Sequence, residues 1–181
     1  MQRLITTKLI QWKNSPVRKP LIIRGARQTG KSFTITEFGN SNFEGTTHVI
    51  NFEKRLDWHS VFELNFDITR ILSDLEILLG KSIVAGKDLL FFDEIQECPK
   101  AITSLRYFYE QVPDLHVIAA GSLLEFALGN IPFPVGRIQL LNMYPMNFQE
   151  FLMATGNEPA ANLISQAPKE MSEGVNNMFL G

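Results

Sequence analysis

The chain has 181 residues, of which 45% are apolar and 20% charged, and its formal net charge is −2; these values are typical of an ordinary globular protein. This length suffices for one well-formed core and is too short for two large domains. No apolar run approaches the length of a membrane span, basic residues interrupt the amino-terminal segment, and the single cysteine, Cys98, excludes an internal disulfide and a multi-cysteine metal site. We therefore expect a cytoplasmic protein that does not cross a membrane.

Charge is unevenly distributed along the chain. Residues 1–36 contain eight Lys/Arg and no Asp/Glu, whereas the remainder contains nine Lys/Arg and nineteen Asp/Glu. A polyanionic nucleotide bound at the basic end explains this distribution, because converging positive charge raises the local concentration of such a ligand. DNA explains it as well, although the sequence contains no recognisable base-reading motif.

The first half of the chain alternates between helix and strand patterns. Residues 3–14 place apolar side chains near one helical face before a proline, which predicts an N-terminal helix within residues 1–15. The apolar run 21–24 predicts a strand buried on both faces. The patterns that follow predict a helix continuing from Phe33, a strand at 48–53, a short helix or ordered loop in 54–66, and a helix at 67–79 capped by Gly80.

The second half continues the alternation. Four apolar residues followed by two acids predict a third strand at 89–94, and Pro99 opens the next helix. Residues 155–181 show little periodicity, and we expect 153–181 to be an extension that begins a further region. Between the helix that begins at Pro99 and residue 155, the patterns predict a strand at 115–120, a short helix at 123–128, a proline-stiffened loop at 129–136, a strand at 137–141 and a helix at 147–154.

Strands that alternate with helices imply right-handed crossovers and a parallel sheet. In such sheets the ligands bind at the carboxyl ends of the strands. The sequence therefore predicts an α/β fold with helices on both faces of the sheet, in which residues 16–152 form the core and the chemical motifs share one edge.

One of these motifs is a glycine-rich loop. The sequence GARQTGKS at 25–32 has the spacing Gly-four residues-Gly-Lys-Ser, and it lies between a predicted strand and a predicted helix, which is the context of a phosphate-binding P-loop. Its glycines allow a tight turn, so that successive backbone N–H groups surround an anion at a helix N-terminus. Lys31 would bridge the β- and γ-phosphates, and the Ser32 hydroxyl suits Mg²⁺. The predicted nucleotide-binding residues are Gly25, Arg27, Gln28, Thr29, Gly30, Lys31, Ser32 and Phe33.

Two carboxylates end the third predicted strand. Asp93 is predicted to hold Mg²⁺ together with Ser32, and Glu94 to orient and deprotonate an attacking water. The alternative is a pair of solvated acids at a strand end. The apolar run before the acids, which buries this strand, and the order of the motifs along the chain favour the catalytic interpretation.

Two further polar residues are candidates for the same reaction. Ser122, at the end of the fourth predicted strand, could contact the γ-phosphate or the water, and it serves equally well as the N-cap of the helix predicted at 123–128. Arg137 could stabilise charge on the transferring phosphoryl group, either within the chain or across an oligomer interface. Its alternative role is an ordinary structural ion pair.

The motifs together carry a family resemblance. Segments 24–32, 92–96, 120–122, 135–138 and 144–151 resemble the ATPase core of a prokaryotic family of AAA-type P-loop ATPases, whose members usually carry a second, C-terminal domain. The resemblance implies a three-layer P-loop sandwich with five parallel strands in the order 5-1-4-3-2. It also implies ATP rather than GTP, because no guanine-reading motif is present, and a C-terminal effector region beyond the core.

These observations lead to three functional hypotheses that share one pocket. The first is a Mg²⁺-dependent ATPase that couples hydrolysis of ATP to a conformational change, with a homo-oligomer or an effector domain as its partner. The second is a nucleotide switch with slow turnover. The third is a DNA-associated ATPase that uses the basic amino-terminal end.

Overall fold

The computed structural model describes residues 3–122 and 136–165. The chain divides into two compact units, of which one is Ile5–Pro145 and the other combines residues 1–4 with 146–181. The helix predicted at 123–128 and most of the loop predicted at 129–136 lie outside the described residues.

The larger unit is built on a sheet of five parallel strands. Its spatial order is β2-β3-β4-β1-β5, so the predicted order and the parallel arrangement are confirmed. The fourth and fifth strands begin one and two residues later than predicted. The strands are β1 at Leu21–Arg24, β2 at Thr47–Asn51, β3 at Leu89–Asp93, β4 at His116–Gly121 and β5 at Gln139–Asn142.

Helices cover both faces of this sheet, as predicted. Neighbouring residues of one strand enter different cores, because side chains alternate across a strand: Phe92 packs with the cluster on one face and Phe91 with the cluster on the other. The α-helices of this unit are α1 at Ile5–Lys13, α2 at Lys31–Asn42, α3 at Ile68–Leu79 and α4 at Pro99–Gln111, with 3-10 helices at Leu56–Phe62 and Ile95–Glu97. The first two α-helices pack on the Phe91 face and the other two on the Phe92 face.

Local sequence explains where these helices begin and end. The Asp67 side chain accepts hydrogen bonds from the N–H groups of Thr69 and Arg70, which makes Asp67 the N-cap of α3, and Gly80 closes that helix with φ of 64°. Pro99 occupies the start of α4, where its missing N–H costs no helical hydrogen bond. Helix α2 starts at Lys31, two residues before the predicted position, so the loop lysine and serine belong to its first turn.

The smaller unit contains a helix that the sequence pattern did not predict. Helix α5 (Phe148–Ala154) is followed by α6 (Glu158–Ser165), whereas residues 155–181 carry little periodicity. Leu152 of α5 packs with Ala160 and Ala161 of α6. A helix of eight residues is too short to show a clear period, and its packing on α5 supplies the stability that its own sequence does not.

The buried carboxylate of Asp88 stabilises the edge of the sheet at β2 through hydrogen bonds. Asp88 Oδ1 accepts a hydrogen bond from the Thr46 N–H at 2.8 Å, and Oδ2 accepts from the Val84 N–H at 2.7 Å. His48 Nε2 lies 3.0 Å from Oδ2, so that nitrogen carries the proton when Asp88 is ionised. Burial raises the pKa of Asp88, but the hydrogen bonds outweigh burial and the pKa lies below its usual value.

We expect Asp88→Asn to lower the free energy of unfolding by about 1–3 kcal/mol at pH 7, because buried N–H donors lose their charged acceptor. The folded-state pKa is depressed, so the contribution of ionised Asp88 is complete above the unfolded pKa of about 3.9 and disappears as the pH falls through the folded value. Urea unfolding of both proteins from pH 7 to pH 3 should show a difference that narrows below about pH 4. A difference that stays constant over this range would contradict the assignment.

Candidate functional site

The loop between β1 and α2 turns through two left-handed residues. Gln28 has φ of 63° and Gly30 has φ of 84°. Left-handed backbone is unremarkable for glycine but strained for glutamine, and such strain is common at functional sites. The first turn of α2 follows directly, with the Thr34 N–H donating to the Gly30 carbonyl at 2.9 Å. Because a helix leaves its first N–H groups without helical acceptors, this turn presents amide donors at the loop.

Gly25 is required by a close backbone contact that the spacing of the loop does not predict. A Cβ atom at this position would lie 2.1 Å from the carbonyl oxygen of Met143. Met143 follows β5, and its N–H donates to the Arg24 carbonyl at 2.8 Å. The glycine therefore allows the backbone after β5 to pass against the entrance of the loop.

Lys31 reaches back across the loop. Its Nζ donates to the carbonyl oxygens of Gly25 at 2.9 Å and Ala26 at 2.8 Å, which accounts for two of its three donors. Burial is the largest effect on the pKa of Lys31 and lowers it, while the nearby carboxylates of Glu94 and Asp93 oppose that shift. The net pKa lies below the usual lysine value.

The structure brings the predicted metal residues together. Ser32 Oγ donates to Asp93 Oδ1 at 2.8 Å, and Asp93 is only 6% exposed. Hydroxyl and carboxylate oxygens are the donors that Mg²⁺ prefers, and Mg²⁺ usually takes only one or two protein ligands beside phosphates and water. The pair therefore fits Mg²⁺ bound with a triphosphate, and no group of three or more His, Cys, Asp or Glu within residues 3–122 and 136–165 offers another metal cluster.

Asn51 is a site residue that the sequence prediction missed. It ends β2 directly opposite Asp93, and its Nδ2 donates to Asp93 Oδ2 at 3.0 Å. The Lys54 N–H donates to Asn51 Oδ1 at 2.8 Å, which fixes the orientation of the amide. Each Asp93 oxygen thus has a defined partner. A polar residue near the carboxyl end of the strand predicted at 48–53 was the available signal.

Glu94 follows β3 in a strained conformation. Its backbone is left-handed, with φ of 50° and ψ of 48°, which is uncommon for a residue with a Cβ. Its carboxylate oxygen Oε2 accepts a hydrogen bond from Gln96 Nε2 at 2.7 Å. Gln96 is a second residue that the sequence prediction did not assign to the site, although it lies in the segment 92–96 that resembles the ATPase family.

Ser122 lies at the end of β4 and touches the loop. Its Oγ accepts a hydrogen bond from Arg27 Nε at 3.4 Å, and the residue is 1% exposed. This contact brings Ser122 beside the predicted phosphate site. The alternative role as a helix N-cap concerns residues 123–128, which lie outside the described part of the chain.

Arg137 is not brought to the loop within this chain. It precedes β5 and therefore lies at the amino-terminal edge of the parallel sheet, whereas the loop lies at the carboxyl edge. Its Nη1 is 3.5 Å from Glu110 Oε1, and its guanidinium carbon lies 6.0 Å from the centroid of the Tyr109 ring. The geometry matches the ion-pair alternative, while a role across an oligomer interface stays a prediction.

Part of the basic amino-terminal segment does not converge on the loop as expected. Arg18 lies at the opposite edge of the sheet, where its guanidinium donates to the carbonyl oxygens of Lys13, Pro113 and Asp114. The Lys13 ammonium donates to the Asn42 carbonyl. These cations therefore bind backbone carbonyls that connect neighbouring segments of the chain.

The strand order and the loop geometry define an α/β P-loop ATPase fold. Residues 17–152 match the family model described as AAA domain, and the chain belongs to this family. No curated protein matches the chain at a significant level. Every helix within residues 3–122 and 136–165 is too short or too polar to cross a bilayer.

Solved structures share this fold at low sequence identity. One is the Aeropyrum pernix ORC1 protein in complex with DNA, with a TM-score of 0.53 and 13% identity over 92% of this chain and 56% of that chain. Another is Drosophila ORC bound to DNA, with a TM-score of 0.55 and 14% identity over 88% of this chain and 48% of that one. The chain thus spans about half the length of these structures.

We expect Gly25→Ala to lower the free energy of unfolding by about 1–3 kcal/mol or more, because the added methyl group collides with a backbone carbonyl that cannot rotate away. Gly80→Ala is the matched comparison, since it meets nothing within 4 Å and incurs only the cost of left-handed backbone. Urea unfolding should show the larger loss for Gly25→Ala. Equal or smaller loss at Gly25 would contradict the close approach to Met143.

Proposed function

We propose that this chain is the core of a Mg²⁺-dependent ATPase that hydrolyses ATP to ADP and phosphate and couples that reaction to a conformational change. One observation carries the proposal: the hydroxyl of the loop serine lies 2.8 Å from the carboxylate that ends β3. Membership of the AAA domain family supports ATP as the nucleotide.

The loop binds the phosphates through fixed donors. The amides of the first turn of α2 and the partial positive charge of its N-terminus attract phosphate oxygens. Lys31 adds an ammonium that the carbonyls of Gly25 and Ala26 hold in the loop. Ser32 and Asp93 would hold Mg²⁺, which when bound neutralises charge on the β- and γ-phosphates. Asn51 keeps the Asp93 carboxylate oriented.

Glu94 provides the base in this proposal. Its carboxylate accepts a proton from water as the water oxygen forms a bond to the γ-phosphorus, and the bond from that phosphorus to the β,γ-bridging oxygen breaks. ADP and phosphate are the products. Gln96 acts through Glu94, because its amide donates to one carboxylate oxygen and restricts the rotation of the carboxylate.

We expect Glu94→Gln to keep Mg²⁺-ATP affinity and to lower steady-state phosphate release by about 10²-fold or more, because a general base contributes about 10²–10⁴-fold. Lys31→Ala should instead lose ATP affinity, and Glu63→Gln, which alters an exposed carboxylate paired with Lys100, should behave as the wild type. Phosphate release and binding of a fluorescent ATP analogue measure the two effects.

The same experiment separates hydrolysis from the slow-turnover switch. Wild-type protein that binds ATP through Lys31 but releases no more phosphate than Glu94→Gln would favour the switch. Unchanged ATP affinity in Lys31→Ala would contradict the assignment of the loop itself.

A DNA-associated ATPase is the second candidate function. Two structures of the same fold are complexes with DNA, and the amino-terminal segment is basic. Against it, the sequence contains no recognisable base-reading motif, and Arg18 lies at the sheet edge opposite the loop. We therefore expect duplex DNA to leave the turnover unchanged. DNA-stimulated phosphate release, with DNA affinity that falls steeply as salt rises, would favour this candidate instead.

A further inference from the structure

The side chain of Arg27 connects the loop to the end of β4. The residue lies between the two loop glycines on an exposed stretch, and its side chain extends toward the tip of β4. There its Nε donates to Oγ of Ser122 at 3.4 Å. Since β4 pairs directly with β1, this contact holds the guanidinium along the carboxyl edge of the sheet, where ligands of parallel sheets bind.

The guanidinium of Arg27 offers five N–H donors. Among the residues that the structure describes, it donates from Nε to Ser122. Within residues 3–122 and 136–165, Arg27 forms no ion pair with a carboxylate, in contrast to Arg55, Arg70 and Arg106. A structural salt bridge therefore does not account for an arginine at this position.

Two cations share this small region. Arg27 and Lys31 both belong to the short loop between β1 and the first turn of α2, so two cationic side chains lie in one segment. Placing like charges together is unfavourable for the protein alone and becomes favourable when a polyanion lies between them. A polyphosphate bound at the loop would be such an anion.

We propose that the guanidinium of Arg27 binds the γ-phosphate of ATP and that Ser122 positions it, so that this chain distinguishes ATP from ADP through a side chain of its own loop. This inference rests on the proposed function and deepens it. Lys31 and the loop amides also contact phosphates that ADP retains, whereas the Arg27 side chain serves only the phosphate that ADP lacks. Arg137 cannot take this role in the same chain because it lies at the opposite edge of the sheet.

The ratio of ATP affinity to ADP affinity tests the inference without relying on turnover. We expect Arg27→Gln in the 181-residue chain to lower this ratio about tenfold or more, the usual cost of a lost charged hydrogen bond, while ADP affinity changes by less than about threefold. Arg106→Gln is the matched control, since it removes an exposed arginine on α4 and should leave the ratio unchanged. Competition against a fluorescent nucleotide, with thermal unfolding to confirm folding, provides the measurements.

Ser122→Ala tests the positioning role. It should lower the same ratio by a smaller factor, and in the double variant it should add nothing to Arg27→Gln, because it acts through that side chain. Arg27→Lys should retain part of the discrimination, since it keeps the charge but loses the planar fork. Full additivity of Ser122→Ala and Arg27→Gln would contradict positioning.

Failure of this inference is distinguishable from failure of the proposed function. If Lys31→Ala abolishes ATP binding while folded Arg27→Gln keeps the wild-type ratio, the loop binds ATP and the role of Arg27 is overturned. If Lys31→Ala also leaves ATP affinity unchanged, the nucleotide site itself is wrong.

Discussion

The hydrogen bond between Ser32 and Asp93 is the contact on which the site depends. It joins the first turn of α2 to the end of β3, although β4 lies between β3 and β1, the strand that leads into α2. The bond is possible because parallel strands end at one edge, so that the loop after β1 and the acids after β3 face the same space. A hydroxyl and a carboxylate at 2.8 Å form a pair that a small divalent cation can share.

The surrounding structure keeps this edge in place by close packing and hydrogen bonds to the backbone. Gly25 lies against the carbonyl of Met143 where a Cβ would not fit, and Lys31 binds the carbonyls of its own loop. Asn51 donates a hydrogen bond to Asp93, and Gln96 donates one to Glu94. Strain at Gln28 and Glu94 accompanies these contacts, as is usual where a fold fixes functional groups in advance of a ligand.

The charges of the chain divide between structure and ligand binding. Arg18 and Lys13 donate to backbone carbonyls that connect neighbouring segments of the chain, and Arg137 lies beside Glu110. Arg27 and Lys31 lie together on the loop. The basic residues of the amino-terminal segment are therefore not all at the site, where Arg27, Lys31 and the helix N-terminus supply positive charge.

The sequence by itself determined the α/β class, the parallel strand order and the residues of the loop and the acidic pair. Periodicity, glycine spacing and strand-helix alternation are local signals, and the order of the strands came from the family resemblance that the motifs carry. From the sequence Arg137 is a candidate for the phosphoryl group, whereas the structure places it at the edge opposite the loop, beside Glu110. Only the tertiary structure decided the approach of Met143 to Gly25, the partners of Asp93 and Glu94, and the contact from Arg27 to Ser122. These depend on side-chain direction and on segments far apart in the chain, which no local pattern encodes.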